Sequence, residues 1–289
     1  TLNPSSGDVS VFLPLEHAVL SSVVDDRRRT GVFASYSLVG ALAAAAGALA
    51  AGLPPRDAIA WMFALYALIA VVASLVYRGL PASLVAGEQR APSPLGPSKR
   101  RVVTLAALFS LDAFGGGFVV QSMLALWLYQ RFDLSLATAG ALFFWAGVLT
   151  AISYLVAVRI ANRIGLVNTM VFTHIPSSLC LIAIPFVPSL AGVIALLLLR
   201  AALSQMDVPT RSSYVMAIVT PAERPAAASV TSVPRSLASA VSPVLAGSML
   251  AASTFGWPLL IAGMSKILYD VLLLAMFRKV KPPEERGGG

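Results

Sequence analysis

Apolar residues in this chain come in blocks about twenty long, parted by short polar breaks, rather than in alternation or in one-sided helical stripes. Eight such blocks run over 31–53, 58–78, 102–129, 136–158, 167–187, 190–218, 226–251 and 257–277, and residues 9–24 read as the end of a ninth. A helix rising 1.5 Å per residue needs about 20 residues to cross a hydrocarbon layer of about 30 Å. Inside that layer each backbone polar group must find its partner within the segment, so every block is predicted to be a membrane-spanning helix. One long polar interruption stands out. Residues 80–101 read LPASLVAGEQRAPSPLGPSKRR, with four prolines, two glycines and three serines, a loop composition that denies a helix. The expected organisation is therefore a first unit at 1–79, a linker at 80–101, a second unit at 102–278 and a polar tail at 279–289.

The two units are related. Residues 14–52 align without gaps to 209–247, an offset of 195, with 9 identities in 39 positions. Among these, Pro14 falls on Pro209, Arg29 on Arg224, Ser37 on Ser232 and Gly52 on Gly247. Both copies run from the end of one apolar block, through a charged turn, into a complete block closed by glycine. A parallel repeat of this period in so apolar a chain is one way secondary transporters are built. If the second unit starts near Arg101, the same offset expects the first to start about 94 residues ahead of Thr1, with room for three spans and most of a fourth. The chain is thus expected to be a fragment whose first half is truncated. Residues 1–30 carry no basic segment followed by an apolar core, so they are not a signal peptide.

Composition narrows the solvent. The chain is 57% hydrophobic and 12% charged, against about 25% charged in an ordinary soluble domain, and its mean hydropathy is +0.81. The net charge of +8 is a matter of topology. Counting loops alternately, one set holds 15 Lys and Arg, including Arg27, Arg28, Arg29, Lys99, Arg100, Arg101, Arg159, Arg163 and Arg224, while the other holds only Arg56 and Arg131. By the positive-inside rule the first set, the linker and the C-terminus are expected to be cytoplasmic, in the cell (inner) membrane. This distribution also argues against a nucleic-acid partner. Lys99, Arg100 and Arg101 are placed to meet anionic headgroups. Cys180 is the single cysteine, which excludes an internal disulfide.

Several turns carry a family resemblance. Residues 159–168 read Arg-Ile-Ala-Asn-Arg-Ile-Gly-Leu-Val-Asn. They resemble a degenerate copy of the glycine–Asp–Arg–Gly–Arg turn that follows span eight in the major facilitator superfamily. Arg163 and Gly165 match, while Asn162 stands where the acid is expected. Leu196 to Arg200, and the turns Asp26-Arg-Arg-Arg29 and Pro221-Ala-Glu-Arg224, resemble the family's tenth span and its turns before spans five and eleven. The resemblance covers the whole chain, as the end of span four through span twelve. It implies an all-α integral membrane bundle of two pseudo-symmetric halves, with Arg163 and Gly165 in a cytoplasmic gate turn and a central cavity lined by spans one, four, seven and ten.

Charges inside the blocks are the candidate chemistry, because each is costly in lipid and must face a partner or water. They are Glu16, Asp112, Asp207 and Asp270 against Arg200, Arg211, Arg235 and Lys266. At 100° per residue Arg200, Ser204, Asp207, Arg211 and Tyr214 form one stripe, with a kink expected at Pro209. Thr231, Arg235, Ser239 and Ser242 share a face of the next span. Lys266 and Asp270 are i,i+4 neighbours and read as a structural pair. Gly115–Gly117 read as a close helix contact or hinge, and His174, just ahead of Pro176, as packing. The expected cavity set is Glu16, Asp112, Gln121, Arg200, Asp207, Arg211 and Arg235, and the repeat sets Glu16 in register with Arg211. No metal spacing, nucleophile elbow or cofactor loop is visible, so neither an enzyme nor a cofactor is expected. The expectation is a monomeric secondary transporter that moves a small solute across the bilayer, coupled to protons. A transport-inactive scaffold or receptor is the alternative.

Overall fold

The predicted blocks are helices in the computed structural model, which describes residues 16–17, 20–21, 24–51, 59–79, 94–280 and 282. The first part of the linker, most of block 9–24 and the end of the tail lie outside the described residues. From the first unit come α1 (Asp26–Ala51) and α2 (Ile59–Arg78). From the second come α3 (Lys99–Gly117), α4 (Gln121–Phe132), α5 (Leu136–Ile164), α6 (Leu166–Ala183), α7 (Leu190–Ser204), α8 (Asp207–Ala217), α9 (Arg224–Ala252) and α10 (Trp257–Phe277). No strand occurs among the described residues.

Two blocks are broken helices, each for a local reason. Block 102–129 splits at Phe118–Val120, where Phe118 and Val119 donate to Gly115 and Gly116 three residues back and tighten the end of α3. Block 190–218 splits at Gln205–Met206. The expected kink at Pro209 is thus displaced toward the N-terminus. Proline cannot bond to the carbonyl four residues earlier, and its ring collides with it; here that carbonyl belongs to Gln205. The chain starts a new helix at Asp207, and Pro209 falls in its first turn, where the missing N–H costs little.

Among the described residues six stretches are long and apolar enough to cross a membrane: Arg28–Leu49, Lys99–Phe132, Ala137–Ile164, Leu166–Phe186, Leu190–Ala217 and Trp257–Phe277. One expected span falls short on composition: α9 has the length, but Arg235 and its serines lower its hydropathy. α2 exposes Trp61, Phe63, Leu68, Ile69, Val72 and Val76, the character of a helix surrounded by lipid.

Small residues set how closely the helices approach. α1 lies along α5, where a Cβ on Gly147 would meet Ala45 Cβ at 2.7 Å. α3 lies along α9 and α10, and a Cβ on Gly117 would fall 2.7 Å from both Ser239 O and Ser242 Cβ. Shifted by 195 residues along the sequence, α1 and α2 overlap α9 and α10. Two large apolar cores result, with a small third cluster of Ala34, Tyr154 and Val208. One large core includes Phe109, Met170, Tyr214, Tyr269 and Phe277; the other includes Trp127, Leu181, Val193 and Leu259. Along α3, Asp112 falls between Phe109 of the first core and Phe118 of the second.

Candidate functional site

Four helices bring six ionisable side chains into one chain of contacts. Arg211 on α8 places Nη1 2.8 Å from Asp207 Oδ2 on its own helix and 3.2 Å from Asp112 Oδ2 on α3. The other Asp112 oxygen accepts from Lys266 Nζ on α10 at 2.6 Å. Lys266 Nζ lies 3.5 Å from His174 Nε2 on α6, and His174 Nδ1 faces both oxygens of Asp270 at 3.0 and 3.1 Å. His174 Nε2 is also 3.7 Å from Asp112 Oδ1. All six residues are buried. The Arg211 guanidinium sits over the Phe109 ring, 5.5 Å from its centroid, and the His174 ring meets Tyr269 edge-on. Among these six groups three carboxylates face two permanent cations and one imidazole. The protonation of His174 therefore sets whether the set is neutral or carries one negative charge.

The expected Lys266–Asp270 pair does not form. On one helix the two are a turn apart, but Lys266 turns to Asp112 and Asp270 to His174. Buried charges settle with the partner that best completes their hydrogen bonding, and across α3, α6 and α10 a better one is in reach. His174, read from sequence as packing, is the group the sequence reading missed. Its signal was faint: Thr169, Thr173, Ser177 and Ser178 give α6 a polar, buried side around it.

A cavity of about 660 Å³ opens beside this network. Asp112, Gln121, Arg200, Asp207, Arg211 and Arg235 line it, together with His174 and Lys266. Tyr36, Ser37 and Ala45 bring α1, and so the first unit, into its wall. Six of the seven expected cavity residues are thus on the lining. Glu16, the seventh, accepts a hydrogen bond from Tyr36 of α1, a lining residue. Its register mate Arg211 makes its ion pairs with Asp112 and Asp207. The stripe expected on span ten stops short, because Tyr214 leaves it to donate to Val280 O at 2.9 Å. On α9, Thr231 and Ser239 bond back to their own helix, whereas Ser242 donates across to Phe114 O at 2.6 Å.

Two turns lie away from the cavity. Gly165 ends α5 with φ 87° and ψ 164°, a conformation open almost only to glycine, and Arg163 is exposed two residues before it. Glu223, in the turn before α9, accepts from Gly96 N at 2.7 Å, Ser98 Oγ at 2.9 Å and Thr220 Oγ1 at 2.9 Å. Burial alone would raise its carboxyl; these bonds outweigh it and hold the pKa at about 2. Arg224 donates to Met216 O at 3.3 Å and to Ser21 O at 2.9 Å, two carbonyls that are equivalent under the repeat. Among the described residues no set of His, Cys, Asp and Glu side chains is arranged to hold a metal ion.

Known proteins match this architecture. The sequence profile of the Major Facilitator Superfamily matches residues 7–204 and again 105–289. An uncharacterized membrane protein of Saccharomyces cerevisiae, YJR124C, is 24% identical over a 322-residue alignment that takes in 96% of this chain and 72% of the yeast protein. The crystal structure of the human organic anion transporter MFSD10 (TETRAN) superposes with a TM-score of 0.69 at 20% identity, covering 90% of this chain and 67% of that one.

Proposed function

We propose a mechanism from one premise: the chain belongs to the Major Facilitator Superfamily. It is a membrane transporter and not an enzyme. Our reading is that it carries a small solute by alternating access and that protons drive the cycle. It acts as a monomer in the cell membrane, with the linker and C-terminus on the cytoplasmic side. The observation that carries the reading is the buried chain of charges from Asp207 to Asp270 on the wall of the cavity.

Asp112 is the hub, because one carboxylate holds both Lys266 of α10 and Arg211 of α8. Protonating it removes the charge that ties α3 to both helices. His174 supplies the companion step. With Nδ1 donating to Asp270, Nε2 faces Lys266 and Asp112 and is the nitrogen that takes or returns a proton. Each protonation state favours a different set of helix contacts, and differential contacts are what shift a two-state equilibrium. The inner surface of α1 lies across the same cavity, so rocking the units about it would expose its contents to one side and then the other.

The test uses the protein in vesicles loaded with a pH-reporting dye and challenged with a panel of small solutes. Solute addition is expected to change the internal pH for the wild type. Asp112→Asn is expected to abolish that change while still exchanging solute across the membrane. Exchange without any solute-linked proton movement in the wild type would remove proton coupling. No movement of any solute would favour the scaffold reading.

A further inference from the structure

Of the four basic residues inside the spans, two are neutralised by the network, Arg211 by Asp207 and Asp112, and Lys266 by Asp112. Arg200 is placed differently. It sits on α7 one turn ahead of the break at Gln205, on the cavity lining. Among the described residues its buried Nε has no hydrogen-bond partner, and no carboxylate forms an ion pair with it, since the acids of the same cavity are turned to Arg211, Lys266 and His174. Arg235 of α9 adds a second guanidinium to the same wall. A guanidinium in a partly buried cavity wants an oxyanion, which its planar fork grips with two parallel bonds. Val119, Leu124, Leu142, Phe143 and Leu197 give the wall an apolar part. The volume, about 660 Å³, falls in the range of small-molecule sites.

We propose that the cavity binds a small, water-soluble amphiphilic organic anion, its oxyanion held by Arg200 and its apolar body against Leu124, Leu142, Phe143 and Leu197. Arg235 adds positive potential from the α9 side, and the small residues of α1, Ala41, Ala44 and Ala45, leave room for the apolar end. The proposal rests on the transporter reading for its purpose, but binding itself needs no transport.

The experiment measures binding of benzoate, with benzamide and benzylamine as size-matched neutral and cationic probes, to the protein in nanodiscs of phosphatidylcholine. Benzoate is expected to bind and to raise the melting temperature, and the other two are not. Arg200→Gln should weaken benzoate binding about 10- to 100-fold, Arg200→Lys should restore part of it, and Arg278→Gln, at the exposed end of α10, should leave it unchanged. Should Arg200→Gln fail to fold, the choice between benzoate and benzamide by the wild type decides. Equal binding of all three probes, no binding of benzoate, or full binding by a folded Arg200→Gln variant would overturn the proposal. Phosphatidylglycerol discs separate the other source of an amphiphilic anion. If that lipid displaces benzoate and stabilises the protein only when Arg200 is present, the ligand is a headgroup and the soluble anion is wrong. In vesicles, preferred uptake of benzamide or benzylamine would overturn the anion and keep the transporter. Anion-selective binding with no uptake of any solute would do the reverse.

Discussion

His174 shows how one residue changes the charge arithmetic of a membrane interior. The groups that face it are Asp270, Lys266 and Tyr269 on α10 and Asp112 on α3. Imidazole is the side chain whose ordinary pKa lies between pH 5 and 8. His174→Gln keeps a hydrogen-bonding side chain and removes that titration. Its expected outcome is a flattened pH profile of solute uptake over pH 5–8, with solute exchange retained; an unchanged profile would assign the proton to Asp112 alone. Asp112 predicts a second result. Removing one member of a buried pair leaves the other uncompensated, typically costing about 3–5 kcal/mol. Lys266→Met should therefore destabilise the protein strongly, and adding Asp112→Asn to it should cost less than the two single losses combined, read from melting curves as a double-mutant cycle. Strictly additive losses would show that the 2.6 Å contact carries no coupling. These partners could not be read from the sequence. Asp112 and Lys266 are 154 positions apart, and which face of α10 meets α3 depends on the packing of Gly115 against Ser265 and Ala262. The i,i+4 spacing of Lys266 and Asp270 was visible, and it pointed to the wrong pair.

At the scale of elements, local rules located the helices well and their joints less well. The apolar blocks mark α10 to the residue and the starts of α5 and α6 within one residue, because lipid leaves a buried backbone no other way to satisfy itself. The break between α7 and α8 was expected at Pro209 and lies at Gln205–Met206, since the proline acts on the carbonyl four residues before it. Glycine spacing likewise announced a close contact but not its partner. Gly117→Ala is expected to cost about 1–3 kcal/mol by overpacking α9, whereas Gly116→Ala, whose Cβ would meet only Lys266 Nζ at 3.7 Å, should melt within about 1 kcal/mol of the wild type. Equal melting temperatures for the two variants would show that α3 and α9 can separate freely. The turn before α9 yields a pH prediction. The Glu223 carboxyl is held at about 2 in the folded protein, below its value of roughly 4.3 in an unfolded chain. Its stabilisation is therefore fully present above about pH 4.3 and is lost as the pH falls toward 2. Glu223→Gln should lower stability by about 1–3 kcal/mol at neutral pH, and the gap from the wild type should close between those two values. A gap independent of pH would mean that the carboxylate charge is not what holds Gly96 and Ser98.

At the scale of the whole molecule the sequence carries one charge asymmetry and one repeat. The offset of 195 reappears as the correspondence of α1 and α2 with α9 and α10, and as Arg224 donating to two carbonyls, Ser21 and Met216, that the repeat makes equivalent. The charge asymmetry makes a prediction about sidedness. α3 and α4 together run from Lys99 to Phe132, 34 residues, with the basic Lys99, Arg100 and Arg101 exposed at one end and Arg131, half-buried, at the other. The only interruption is the tightened turn at Phe118–Val120, which leaves the segment long enough to cross the bilayer once. If the loops with many Lys and Arg are cytoplasmic, then a cysteine at position 99 faces the cytoplasm and one at 131 faces the opposite side. Cys180 is buried, so a Cys180→Ser background removes the remaining thiol without touching the surface. An impermeant thiol reagent added to intact cells is expected to label Arg131→Cys and to spare Lys99→Cys until the membrane is opened. The reverse order would invert the molecule and put Glu223 and its contacts with Gly96 and Ser98 on the outside. Labelling of both positions from one side would mean that α3 and α4 form a re-entrant hairpin. Asp112 would then stand near a membrane surface, and the cavity would be open to one face only, which alternating access does not permit.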